Sequence, residues 1–223
     1  MNSSAILPTI IGLGLAFGGP PLIASVSERS PSSGGIPTTE LLSQFGLVAI
    51  CAAVLAILLV WEKQPLSAIG LQPPRWQSLV WGLALTGFFV FAFSPLAFWL
   101  LQHLRLSGFD AGLAKLAHLP VWYLILAVVI GGTVEEILYR GYAVERLASL
   151  TGSYWLGGLI SVLVFGLAHV PLWGWGPAAT TVLSGGVLTL CYVWTKDLNA
   201  NIIAHVATDF VGIVLMPLLA TAK

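Results

Sequence analysis

Hydrophobic and polar positions along this chain alternate on the scale of whole helices. Runs of about 20 mostly apolar residues are long enough to cross the hydrocarbon of a bilayer. Seven such runs occur, at about 5–24, 43–61, 78–101, 121–147, 154–172, 177–194 and 198–219. The pattern predicts an all-α fold, a polytopic transmembrane helical bundle of about seven spans. The first run contains Gly18-Gly19-Pro20-Pro21, which predicts an interruption. It lacks the basic start of a signal peptide and so counts as a span. Polar stretches separate the runs: "SERSPSSGGIPTTE" after the first, "EKQPLSAIGLQPPRW" after the second and "TKDLN" before the last. Residues 102–120 hold charges, two histidines and irregularly spaced leucines, which predicts a short interfacial segment. No internal repeat is visible.

Composition agrees with this pattern. The chain is 57% hydrophobic and 8% charged, against about 25% charged residues in a soluble domain. All nine tryptophans fall near the ends of apolar runs, where an indole sits between headgroups and acyl chains. Formal net charge is zero, so nothing suggests nucleic acid. Cys51 and Cys191 lie inside apolar runs, without disulfide or zinc spacing. With the N-terminus inside, five Lys/Arg lie in or beside inside loops (63, 75, 140, 146, 196) and four outside (29, 105, 115, 223). That is a slight lean towards that orientation. His103 and His118 are expected at the surface, and Glu145 and Arg146 at the headgroups.

One stretch breaks the apolar rule. In "GGTVEEILYR", residues 131–140, two adjacent carboxylates and an arginine follow an uncharged apolar run. With His169, His205 and Asp209, residues Glu135, Glu136 and Arg140 form a set of ionisable side chains within three predicted spans. Helix geometry sorts them, because positions four apart share a face and adjacent ones are turned by about 100°. Glu136 and Arg140 can pair, Glu135 points elsewhere, His205 and Asp209 share a face, and so do Phe165 and His169. Taken singly, each has a plain structural explanation: a neutralised helix pair, a hydrogen-bonded histidine, a local cap. Together they are rare, and ionisable residues inside spans generally mark a site or a pathway.

Peptide hydrolysis would use such a set. It needs a base to activate water, donors for the tetrahedral oxyanion and a proton for the leaving amine. Glu135 fits the base, His169 a second contact to the water and His205 an oxyanion donor. Alternatively, Glu135, His169 and His205 would hold Zn²⁺, since two histidines and a carboxylate form an accepted catalytic set. The helical H-E-x-x-H motif and serine-nucleophile motifs are absent from the spans.

The three motifs "EEILYR", "FGLAH" and "HVATD", in this order on late spans, resemble those of the CAAX protease and bacteriocin-processing (CPBP) family of intramembrane endopeptidases. The loop "PLSAIGL" is similar to that of bacterial members, and the resemblance covers about residues 62–215. It implies that Glu135 activates water, that Glu136 and Arg140 organise the site, and that His169 assists in binding the water. It also implies that His205 and residue 209 stabilise the oxyanion, and it leaves metal dependence open. Asp209 stands where the best-studied pattern has Asn, and an ionised Asp cannot donate a hydrogen bond.

The resulting expectation is an intramembrane endopeptidase with a catalytic set of Glu135, Glu136, Arg140, His169, His205 and Asp209. Zinc is the candidate cofactor, and protein or peptide substrates and membrane lipid are the partners. Residues 1–61 would form N-terminal spans and a polar loop, and 62–223 a CPBP-like protease domain. The expected location is the bacterial cytoplasmic membrane. The competing reading is a catalytically silent adaptor or bacteriocin-immunity protein of the same fold. A proton-coupled carrier would more plausibly show repeated halves.

Overall fold

The structure is a computed structural model that describes residues 3–29 and 38–221. The central part of the first polar loop and Lys223 lie outside the described residues. Among the described residues every regular element is helical. In chain order these are α1 (Ser3–Arg29), α2 (Thr38–Trp61), α3 (Trp76–His103), α4 (Asp110–Leu116), α5 (Val121–Thr151), α6 (Tyr154–Trp173), α7 (Trp175–Thr195) and α8 (Leu198–Ala220). All but α4 are long and apolar enough to cross a membrane. The protein is thus an all-α polytopic bundle, with the seven expected spans and the short segment between the third and fourth.

The expected interruption of the first span is absent. Helix α1 runs through Pro8, Pro20 and Pro21, as membrane helices do where neighbours cover the freed backbone. Here the neighbour is α2: a Cβ on Gly19 would lie 2.5 Å from the Ile50 side chain, so the small residue marks a close helix crossing.

Helix α5 is central, touching α1, α2, α6, α7 and α8. Its residues from Glu136 to Val144 are all buried. Between Glu136 and Ala143 it widens into a π-helix, the longest of four such stretches in the bundle. Widened turns of this kind are frequent at functional sites. The Ser161 hydroxyl of α6 donates to the Tyr139 carbonyl at 2.6 Å and fastens the widened turn to its neighbour. Outward, Phe91, Trp155 and Trp194 are at least three-quarters exposed, as a lipid-facing surface requires.

The connection after α2 is more than a spacer. Its 3₁₀ turn Leu66–Ile69 buries Ile69 completely. Gly70, at φ 78°, accepts the Leu198 amide at 3.0 Å, and Asn199 donates to the Gln72 carbonyl at 2.7 Å. Asp197 caps α8 by accepting from the Ala200 amide and also accepts from Ser78 at 2.6 Å. The start of α8 is thereby fixed to the α2–α3 connection.

Two ionic clusters lie at this same end, and they correct the headgroup assignment of Glu145 and Arg146. Glu145 accepts from Tyr154 (2.7 Å), Tyr192 (2.8 Å) and Lys196 (2.7 Å). Arg146 pairs with Glu62 at 2.9 Å and lies over the Tyr142 ring. Glu62 also accepts from Thr9 (2.9 Å) and Tyr142 (2.8 Å), so it joins α1, α2 and α5. Near this end, long side chains find protein partners before they find headgroups. The charge count changes too. Arg140 is only 1% exposed and is paired inside the bundle, so the loop tally of five against four becomes four against four. The charge distribution then favours neither orientation.

Glu62 is the acceptor common to three helices, so removing it strands Arg146 and the Tyr142 hydroxyl. Glu62→Ala is expected to cost about 1–3 kcal/mol, read as a lowered melting temperature in detergent. Unchanged melting would show that α1 is held by apolar contacts alone.

Candidate active site

The arrangement starts from Glu136, which is fully buried in the first turn of the π-helix. An isolated carboxylate at that depth would be very costly, and three donors offset the cost. Arg140 Nη1 donates to Glu136 Oε1 at 2.9 Å, the expected pair on one helix face. His205 Nδ1 donates to the same oxygen at 2.8 Å from α8. Asn201 Nδ2 donates to Oε2 at 3.1 Å and to the Leu188 carbonyl of α7 at 2.9 Å. The guanidinium of Arg140 lies 4.0 Å over the Phe165 ring. Gly185 of α7 leaves it room, since a Cβ there would sit 2.7 Å from Nη2.

Asn201 was absent from the expected set. It carries no charge, and a single asparagine in a helix is an ordinary residue. The available signal was its spacing: Asn201, His205 and Asp209 follow one another at intervals of four and therefore share one face of α8. Gly132 brings that face close, since a Cβ on it would lie 2.8 Å from Val206.

Glu135 points away from Glu136, as the helix geometry predicts. Its Oε2 lies 3.8 Å from His169 Nε2 and 3.8 Å from His205 Nε2. Both imidazoles are oriented from behind. His169 Nδ1 is 2.8 Å from the Phe165 carbonyl, an acceptor only, so Nδ1 carries the hydrogen. His205 Nδ1 is committed to Glu136 in the same way. Each ring therefore presents Nε2 towards Glu135. The 3.8 Å gaps are beyond a direct hydrogen bond and are of the size a bridging water spans. Asp209 Oδ2 stands 3.5 Å from His205 Nε2, one turn along α8. Phe165 packs 4.5 Å from the His169 ring and 6.2 Å from the His205 ring, which holds the two apart. His103 and His118 are exposed, as expected.

All six expected side chains thus gather from α5, α6 and α8. Two cavities meet at the cluster. The larger, about 710 Å³, is bounded by α1, α2, α4, α5, α6 and α8 and contains Glu135 on its wall; it also reaches Glu40, Lys115 and His118. The smaller, about 240 Å³, lies between α3, α4, α6, α7 and α8 and has His205 on its wall. His169 and Asp209 border both.

The zinc set fits this arrangement poorly. Two ligands of one tetrahedral ion, each at roughly 2.0 Å, lie about 3.3 Å apart, and the Glu135–histidine distances are longer. Among the described residues no group of three or more His, Cys, Asp or Glu is placed to hold a metal ion.

Among known proteins, no curated sequence and no solved structure matches the chain. Residues 117–211 match a family described as type II CAAX prenyl endopeptidase, Rce1-like. The matched segment runs from just before α5 into α8 and contains all three motifs. Residues 117–211 of this integral membrane protein are thus similar to the Rce1-like endopeptidases, in agreement with the CPBP resemblance drawn from the motifs.

Proposed function

We propose that the protein hydrolyses peptide bonds of membrane-associated or peptide substrates with a water activated by Glu135 and His169. The observation that carries this reading is the convergence of two oriented imidazole Nε2 atoms on one carboxylate oxygen, each 3.8 Å away, beside a cavity of about 710 Å³. The neutral His169 Nε2 and the Glu135 carboxylate both accept, so together they take the two protons of one water. Its lone pair is left free for the carbonyl carbon of the substrate. As the oxygen–carbon bond forms, one water proton passes to Glu135. The negative charge gathers on the carbonyl oxygen, where His205 Nε2–H donates. The tetrahedral intermediate then collapses: the carbon–nitrogen bond breaks, and Glu135 delivers its proton to the leaving amine.

Behind this centre, Glu136 offsets the charge of Arg140 and of a protonated His205. Asp209, 3.5 Å from Nε2, steadies the same imidazolium. No step of this scheme needs a metal. We place the protease unit at residues 62–223, with 1–61 as accessory spans, and the protein in a bacterial cytoplasmic membrane.

Glu135→Gln keeps the shape and removes the base. It is expected to lower turnover by at least about 10²-fold while leaving detergent melting unchanged. Arg140→Ala strands a buried carboxylate and should also lower stability, by about 3–5 kcal/mol. Equal loss of activity with equal melting in both variants would overturn this division of roles.

Purified protein with negligible bound metal is expected to remain active, and a strong chelator should leave its rate unchanged. The check is elemental analysis alongside activity. Loss on chelation and recovery with Zn²⁺ would replace the direct water mechanism by a metal-assisted one.

Asp209→Asn preserves shape and removes the charge beside His205. Activity should fall by about 10–100-fold, the range for partners that orient a working histidine. A pH–rate profile of both forms is the measurement. An Asn variant as active as the parent near neutral pH would show that residue 209 acts as a hydrogen-bond donor instead.

A further inference from the structure

Three buried polar atoms near Glu136 have no hydrogen-bond partner among the described residues: Arg140 Nη2, Asn201 Oδ1 and Thr189 Oγ1. Their residues are 1%, 0% and 5% exposed, so bulk solvent does not reach them. They come together from three helices. Arg140 of α5 and Asn201 of α8 hold the same carboxylate, through Nη1 and Nδ2. Thr189 of α7 follows Leu188, whose carbonyl takes the second amide hydrogen of Asn201 at 2.9 Å. It also stands one turn from Gly185, where a Cβ would lie 2.7 Å from Nη2. Buried polar atoms nearly always have a partner, in the protein or in ordered water. Both amide hydrogens of Asn201 are committed, so Oδ1 needs a donor from elsewhere. Thr189 makes no bond back to its own helix, unlike Thr180 and Thr195, which donate to the Pro177 and Cys191 carbonyls.

We infer that one water molecule is bound by these three atoms, between α5, α7 and α8, and that Thr189 acts through it as a positioning residue for the Glu136 network. The polarity suits water and no ion. Water accepts from Arg140 Nη2–H and from the Thr189 hydroxyl and donates to Asn201 Oδ1, about three bonds being usual for a buried water. The guanidinium repels a cation, and Glu136 and the lone pairs of Oδ1 repel an anion. The consequence lies in the asparagine. Its amide can present either oxygen or nitrogen to a neighbour, and only with Nδ2 towards Glu136 does it stabilise the carboxylate. A donor fixed at Oδ1 selects that orientation. Glu136 in turn holds His205 Nδ1. Thr189 thereby reaches the proposed oxyanion donor while bordering neither cavity. That last link rests on the peptidase reading above, whereas the water site does not.

Thr189→Val keeps the shape and removes the hydroxyl, and Thr189→Ser keeps the hydroxyl. A crystal structure of the parent grown in a lipidic mesophase, at a resolution that shows ordered water, should place one water within about 2.7–3.2 Å of all three atoms. The chain has three asparagines, so isotope-labelled asparagine gives few side-chain amide signals in magnetic resonance. The Asn201 signals, assigned by replacing Asn2 and Asn199 with Gln, should be displaced by the charge-assisted bond to Glu136. Thr189→Val should remove that displacement and Thr189→Ser should retain it. On a peptide that the parent cleaves in a mixed library, Thr189→Val should lower kcat by about 5- to 10-fold with KM unchanged. Thr189→Ser should restore the rate.

Direct bonds among the three atoms with no water between them, or a water that touches only one, would overturn the site and leave the peptidase reading standing. A water in place, with amide signals and a kcat that ignore Thr189→Val, would overturn the positioning role. The water and the amide response with no peptide cleaved by the parent would uphold the positioning of Glu136 and sink the peptidase reading. If Thr189→Val does not fold, Thr189→Ala carries the same expectations, and the structure of the parent alone still decides the water site.

Discussion

A buried carboxylate organises this bundle. Glu136 has no contact with solvent, and a charge in that position persists only while its donors stay in place. Arg140 comes from the same helix, His205 and Asn201 from α8, and Asn201 reaches on to α7 through the Leu188 carbonyl. One side chain thereby fixes the mutual register of three spans. The hydrophobic effect does not supply that register in a membrane, where lipid tails are as apolar as leucine. Directional hydrogen bonds can, and here the same bonds determine which nitrogen of His205 faces Glu135. The contact that holds the helices together is thus the one that aims the imidazole.

The adjacency of Glu135 and Glu136 then becomes intelligible. Two carboxylates next to each other in one helix diverge by about 100°, so one can be spent on structure while the other faces the cavity. Glu136 is saturated with donors and Glu135 has none within hydrogen-bonding distance among the two imidazoles. The difference in environment separates a carboxylate saturated by donors from one left facing the cavity. The π-helical widening beginning at Glu136 lies where the two roles divide, and Ser161 holds the widened turn against α6.

Much of this was legible in the sequence because membranes make patterns coarse. A span announces itself by length and apolarity, so the bounds of the helices fell within a few residues of their expected places. Ionisable residues stand out against such a background, which is why Glu135, Glu136, Arg140, His169, His205 and Asp209 could be named from their positions alone. Legibility stopped at neutral polar residues and at helix ends. Asn201 carries no charge to betray it. Glu145 and Arg146 sit where headgroups were the simplest partners, yet Tyr192, Lys196 and Glu62 reach them through tertiary contacts between distant positions of the chain. The double glycine and double proline of α1 signal a break in a soluble helix. In this bundle the helix runs on through them, and Gly19 allows Ile50 to approach.

The polar groups of this chain are distributed unequally between the two ends of the bundle. At the end where α2 and α5 finish and α8 starts, Glu62 and Glu145 draw arginine, lysine and tyrosine side chains into two closed clusters. The segment from Glu136 to Val144 is buried just beneath them. Much of the polarity there meets internal partners, while Arg146 Nη2 and the Tyr139 hydroxyl are buried without a hydrogen bond. Towards the opposite end, the large cavity runs from Glu135 and His169 to Glu40, Lys115 and His118, of which Lys115 and His118 are exposed. Ionic clusters on one side and a cavity that reaches exposed residues on the other make the two ends of the bundle unlike. This asymmetry follows from where hydrogen-bond partners are supplied, since the two ends of the bundle are built from the same few residue types.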